Sequence, residues 1–134
     1  MLLSKYGFSV YACRMQTVVE TPPYLSAAAD AGISEDLRSS IASLLASDPE
    51  AGDELRWTGG CRKIRVAGRG RGKSGGYRVV YFYTGPDLPV FLLTAFGKGE
   101  KGNLTRAESN TLAGLTKRLV DSYRKKVTKL ELKR

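Results

Sequence analysis

The sequence predicts an α+β domain: a mainly antiparallel four-stranded sheet with helices packed on one face. Three observations carry this prediction. Apolar residues recur at helical spacing before residue 50, the period changes to two after Gly59-Gly60, and a long helical stripe returns after Thr105. The resulting order is strand, two helices, three strands, helix, which leaves the second face of the sheet free to bind. With 134 residues, 42% of them hydrophobic and 26% charged, the chain suits one domain with one sizeable core.

Each element has a local reason. Residues 1–14 read as an N-terminal extension, because Met15 stands directly before QTVVE, a β-branched run suited to a first strand. Pro22-Pro23 opens a helix that ends at Gly32. Ser34 offers an N-cap to a second helix, in which Leu37, Ile41, Leu44 and Leu45 recur until Asp48-Pro49 stops it. In CRKIRVA, Ile64 and Val66 take one side of a strand and Lys63 and Arg65 the other. The loop GRGRGKSGG follows, then a strand YRVVYFYT, a turn TGPDLP, and a fully buried strand VFLLTAF, giving a three-stranded meander. Thr105 and Glu108 form a capping box before a closing helix striped by Leu112, Leu115, Leu119, Tyr123 and Val127. The domain is therefore read as 15–127, with 128–134 as a basic tail.

Charge is segregated along the chain. Residues 16–54 hold eight acids and one base, Arg38, whereas residues 55–86 hold eight bases and no acid. So many uncompensated cations on one stretch repel one another, a cost most easily tolerated where a polyanion approaches. The formal net charge is +9 and there is no histidine, so the usual general base, the commonest metal ligand and every Ser-His or Cys-His pair are missing. Two separated cysteines, Cys13 and Cys61, make neither a disulfide framework nor a zinc site, and point to a reducing cytoplasmic compartment. No stretch has the length and apolarity of a membrane span, and no metal or other cofactor is expected.

Two nucleotide motifs are decoys. Gly70, Gly72 and Gly75 satisfy G-x-G-x-x-G, but a strand follows where a dinucleotide fingerprint needs a helix. Gly72-Lys73-Ser74 looks like the end of a P-loop, yet Ala67 stands where its first glycine belongs. What remains is a loop rich in exposed backbone N–H groups and cations, a combination suited to a phosphate chain.

The stretch TGG-C-RKIRVA-GRGRGKSGGYRVVYFY, with VFLLTAFGKGEKGNLTRAE after it, resembles the HigB branch of the RelE/ParE-like toxins of bacterial toxin–antitoxin systems. The resemblance covers about residues 16–127 and is most specific over 58–108. It implies a RelE-like fold and a ribosome-dependent endoribonuclease that cleaves translated mRNA and touches rRNA. It also implies a cognate helix-turn-helix antitoxin and no membrane partner. Carried over by position, Lys63, Arg65 and Arg78 match the family's basic catalytic residues, and Lys73 and Lys98 lie in segments typical of the HigB branch. Arg62, Arg69, Arg71, Glu100 and Lys101 are expected to contact RNA. The resemblance departs at Phe96, where related toxins often carry an aromatic hydroxyl, at Gly99 in place of an arginine, and at Thr105 near a tyrosine position.

The chemistry fits without a metal. If the RNA's own 2′-OH attacks the adjacent phosphate, the protein must position the strand, move two protons and stabilise added negative charge, work that Arg and Lys can do. Crowded cations also lower a lysine pKa toward that of a base. Two other functions remain open at this point: a ParE-like inhibitor of DNA gyrase, and an RNA-binding module without catalysis. Tyr81 and Tyr83 share a strand face with Val79 and Tyr77, which favours core packing over base stacking.

Overall fold

The structure, a computed structural model, describes residues 15–67, 76–97 and 104–132, with side chains as far as 127. The elements in chain order are β1 (Val18–Glu20), α1 (Pro22–Ala31), α2 (Glu35–Ser47), β2 (Asp53–Glu54), β3 (Cys61–Val66), β4 (Tyr77–Phe82), β5 (Val90–Gly97) and α3 (Arg106–Leu132). The caps expected at Gly32, Ser34 and Thr105 are present, and Thr21 adds one at the start of α1 that the sequence reading did not name. Thr21 and Ser34 receive the backbone N–H groups of Tyr24 and Leu37, Gly32 closes α1, and Thr105 and Glu108 exchange reciprocal bonds of 3.1 and 3.0 Å. Thr21 also donates its hydroxyl proton to Leu92 O at 2.7 Å, which fastens the start of α1 to β5.

The α+β class and the antiparallel β3–β4–β5 meander are as the sequence indicates. The strand count is five rather than four, in the order β1-β5-β4-β3-β2, with β1 parallel to β5 and the other pairs antiparallel. The added strand, β2, is only two residues long, too short to show a period. It sets Asp53 opposite Lys63 and Glu54 opposite Arg62, so edge acids meet the cations of β3.

The helices do not share one face, which corrects the predicted layering. Tyr24, Ala28, Ile41 and Leu45 of α1 and α2 pack with Val66, Val79, Tyr81, Val90 and Leu92. Leu112 of α3, with Leu115, Leu119 and Tyr123 beside it, packs with Cys61, Val80, Phe82, Phe91, Leu93 and Phe96 on the opposite face. The reason lies in β4 and β5. Their side chains are apolar on both parities, so each face of the sheet needs its own cover. Leu44, expected on the core stripe of α2, instead points outward. At its far end α3 continues to Leu132, so the backbone of most of the basic tail is helical.

Two tyrosines in the α1–α2 core differ in one respect. Tyr81, fully buried, donates to Pro49 O and accepts from Gly52 N–H, both at 2.8 Å. Gly52 is required there, since a Cβ would lie 2.8 Å from Lys63 O and 2.9 Å from the Tyr81 ring. The Tyr24 hydroxyl, equally buried, has no hydrogen-bond partner. Burial, then the nearby Glu20, pushes its pKa up to about 12 from 10.0, with Arg38 opposing.

Tyr81→Phe should therefore destabilise the domain by about 1–3 kcal/mol, because it leaves the buried Gly52 N–H and the part-buried Pro49 C=O without this partner, whereas Tyr24→Phe should be neutral or stabilising. The Tyr24 contribution to stability is whole below pH 10 and is lost as pH rises from 10 toward 12, because the unfolded state deprotonates first. Urea denaturation at neutral pH and across that alkaline window checks both expectations, with Tyr24→Phe flattening the alkaline loss.

Candidate functional site

The site begins with strand parity. β3 and β4 pair as Lys63↔Val80, Ile64↔Val79, Arg65↔Arg78 and Val66↔Tyr77. Residues directly opposite in an antiparallel pair share a face. Ile64, Val66 and Val79 face the α1–α2 core, so Lys63, Arg65 and Arg78 stand on the α3 side. Arg65 is exposed and Arg78 half-buried. Two guanidinium groups thus project from facing positions of neighbouring strands. The ion pairs Arg38–Glu20 (3.3 Å) and Arg62–Glu54 (3.1 Å) involve other cations, and among the described residues no carboxylate lies within ion-pair distance of Arg65 or Arg78.

Arg78 pairs in turn with Phe96 of β5, and Val80 with Thr94. Beside that row an open groove of about 520 Å³ runs between β5 and the start of α3, lined by Thr94, Ala95, Phe96, Ala107, Glu108, Thr111 and Leu112. The cationic row and the groove therefore lie on one face, the first supplying charge and the second a partly apolar slot with hydroxyl and carboxylate edges. Val66, Tyr77 and Gly97 form the next row across β3, β4 and β5. The described residues bordering 68–75 and 98–103 are thus at the same end of the sheet as Arg65 and Arg78.

Of the residues expected from sequence, Lys63, Arg65 and Arg78 come together on this face. Arg62 does not join them. Its parity is opposite, and its guanidinium donates to Gly52 O at 2.7 Å and to Glu50 O at 3.3 Å besides pairing with Glu54. It ties β3 to the loop before β2. Arg69, Arg71, Lys73, Lys98, Glu100 and Lys101 lie outside the described residues.

Other groups are occupied elsewhere. Tyr81 is core, as its strand face indicated, and Tyr83 packs beside it. Phe96 is buried under α3 and Thr105 is spent in the capping box. Burial pushes the Cys61 thiol up to about 11 against the opposing hydrogen bond from Thr58, so at neutral pH it is protonated and no nucleophile. Among the described residues no three His, Cys, Asp or Glu side chains cluster as a metal site would require.

Two features escaped the sequence reading. Gly76 ends the glycine-rich loop at a point where a Cβ would run into the Val66 backbone, so this glycine serves strand approach. Trp57, in the loop between β2 and β3, lies 4.6 Å from its ring centroid to the guanidinium carbon of Arg106 on α3. The signal available for it was a lone Trp beside Arg56 in a polar loop.

Comparison with known proteins gives two findings. The family model described as the RelE toxin of the RelE/RelB toxin–antitoxin system matches residues 36–134, well over half of the chain. Among solved structures, a mutant of the E. coli toxin RelE in the free state is similar at 20% identity, covering 76% of this chain and 97% of that one, with a TM-score of 0.49.

Like charges directly opposite across two strands are destabilising by about 0.2–1 kcal/mol. Arg65→Gln should consequently raise stability slightly at low ionic strength, and the gain should shrink in high salt as screening removes the repulsion. Chemical denaturation at the two salt concentrations measures it, and a loss of stability at low salt would contradict the arrangement.

Proposed function

Because the chain belongs to the RelE toxin family and is thus a toxin of a toxin–antitoxin system, we propose that it is an endoribonuclease of the HigB branch that cuts mRNA on the ribosome. The observation that carries this reading is the Arg65–Arg78 pair, two guanidinium groups held opposite each other with no carboxylate among the described residues within ion-pair distance of either. A phosphate seated there would relieve their repulsion, and the extra charge of a pentacoordinate phosphorus would strengthen the same contacts.

In the proposed reaction the 2′-OH loses its proton as its oxygen bonds to phosphorus, and the bond from phosphorus to the 5′-oxygen breaks as that oxygen gains a proton. The products are a 2′,3′-cyclic phosphate and a 5′-hydroxyl. Arg65 and Arg78 hold the non-bridging oxygens, Lys63 and Lys73 position the strand, and Lys98 carries a proton, with Glu100 orienting a cation of its turn. Arg69, Arg71 and Lys101 add non-specific attraction for mRNA and rRNA. The partner that silences the enzyme is a helix-turn-helix antitoxin, and the compartment is the cytoplasm.

Expression without antitoxin should arrest growth, with translation failing before DNA replication. Arg65→Ala and Arg78→Ala should each lower cleavage by about 10²–10³ without unfolding the domain. Pulse labelling, transcript mapping and end-group analysis of the cut mRNA test the proposal together. In-frame cuts ending in cyclic or 3′-phosphate are expected; a 3′-hydroxyl would overturn the mechanism, and gyrase-linked DNA breaks without mRNA cuts would overturn the function.

A further inference from the structure

Trp57 is the most exposed large hydrophobic side chain among the described residues, at 64%. Its backbone is left-handed, with φ of 68°, a conformation that bulky L residues rarely adopt. The loop around it is nonetheless firmly held. Thr58, fully buried, donates to Leu55 O at 2.7 Å and accepts from Cys61 N–H at 3.1 Å, while Thr58 and Gly59 line a groove with Ala113, Thr116 and Lys117 of α3. A rigid loop thus holds an indole in solvent, with the Arg106 guanidinium over its ring.

We propose that Trp57 is a stacking platform for a nucleobase of single-stranded RNA, with Arg106 as its cationic backing. The inference rests on the ribonuclease reading and adds to it a contact away from the reacting phosphate. With one ring face under the guanidinium, the other is left for a base, and every base has a π-face to offer. The loop joins β3 at Cys61, four residues from Arg65, or about 13 Å at roughly 3.3 Å per residue. The stacked base therefore belongs to a nucleotide two or more positions from the phosphate held by Arg65 and Arg78.

The surroundings favour RNA over a protein partner. Arg106 lies over the indole, Arg56 precedes it in the chain, and Lys117 lines the adjoining groove. The nearby Glu54 is paired with Arg62, and Asp121 is the carboxylate that lines the adjoining groove. The other exposed large apolar residues, Leu25, Leu44 and Met15, belong to α1, α2 and the residues before β1. An isolated aromatic among cations matches a base between phosphates, whereas the centre of a protein interface is a contiguous apolar patch.

Trp57 is the chain's one tryptophan, so its emission reports on the site directly. The full chain is titrated with a 5′-labelled, 2′-O-methylated 12-nucleotide RNA, which cannot be cleaved by 2′-OH attack. Anisotropy of the label follows binding, and tryptophan emission follows stacking. Quenching by this RNA but not by tripolyphosphate or a fully abasic oligomer is expected. Trp57→Ala should weaken binding about 5- to 100-fold and Trp57→Phe only a few-fold. Trp57→Gly, which suits the left-handed backbone, should weaken binding like the alanine variant while melting no lower than the parent, so that loss of folding is not the cause. RNA binding without quenching, or unchanged by Trp57→Ala, overturns the stacking site while leaving the cationic face and its cleavage assay intact. No binding by anisotropy overturns it too, and quenching by added antitoxin alone would make the indole a protein contact.

Discussion

The functional face depends on a single register between β3 and β4. Side chains in a strand alternate, so a slip of one residue would drive Arg65 into the α1–α2 core and lift Val66 out of it. Three constraints hold the register against the repulsion of the facing arginines. Ile64 and Val66 on β3 and Val79 and Tyr81 on β4 occupy the same core. Gly76 sits too close to the Val66 backbone for any other residue. On the opposite side Cys61, Val80 and Phe82 pack together under α3. A local unfavourable interaction worth about 1 kcal/mol is small beside the burial of so many apolar side chains, each contributing about 1.5–3 kcal/mol. The core carries the cationic row as a minor load.

The same sheet converts a segregation of charge along the chain into one across the molecule. Asp30, Glu35 and Asp36 belong to the α1 and α2 helices, Glu54 of the edge strand β2 stands opposite Arg62 on that side, and Asp53 is the β2 acid opposite Lys63. Lys63, Arg65 and Arg78 look toward α3. A polyanion approaching from the α1–α2 side meets repulsion and one approaching the α3 side meets attraction, so the field orients encounter before any contact forms. Arg62 and Arg38, the cations whose pairs with Glu54 and Glu20 are seen, are removed from that attraction.

Much of this was legible in the sequence where a local rule suffices. Ser34 and Thr105 act at helix starts as their chemistry dictates, and the period-two run in CRKIRVA correctly separates Ile64 and Val66 from Lys63 and Arg65. The misreadings concern relations between elements. YRVVYFYT and VFLLTAF are apolar on both parities, which implies two covered faces, whereas helical periodicity alone does not say which face α3 covers. Arg62 counts as one more cation in a basic run until β2 pairs beside it and Gly52 O and Glu54 come within reach. The Trp57–Arg106 contact joins residues 49 positions apart in sequence, beyond any periodic signal.

The polar groups left on the face also bear on why a ribosome should be needed under the proposed reading. Phe96 has no hydroxyl, Thr105 caps α3, and the Cys61 thiol stays protonated at neutral pH, while Tyr81 is committed to Gly52 and Pro49 on the other side of the sheet. What Arg65 and Arg78 offer is charge stabilisation, worth about 10²–10³ per contact, and a guanidinium contributes nothing as a base. General acid–base catalysis adds about 10²–10⁴ and is assigned in the proposed reaction to Lys98, whose proton transfers demand accurate alignment with the 2′-OH and the 5′-oxygen. Free single-stranded RNA samples in-line geometry rarely, whereas a strand held in a decoding groove has already lost much of that conformational freedom. Under the proposed reading, a face whose described arginines supply charge rather than proton transfer gains most from a substrate whose geometry another body has fixed.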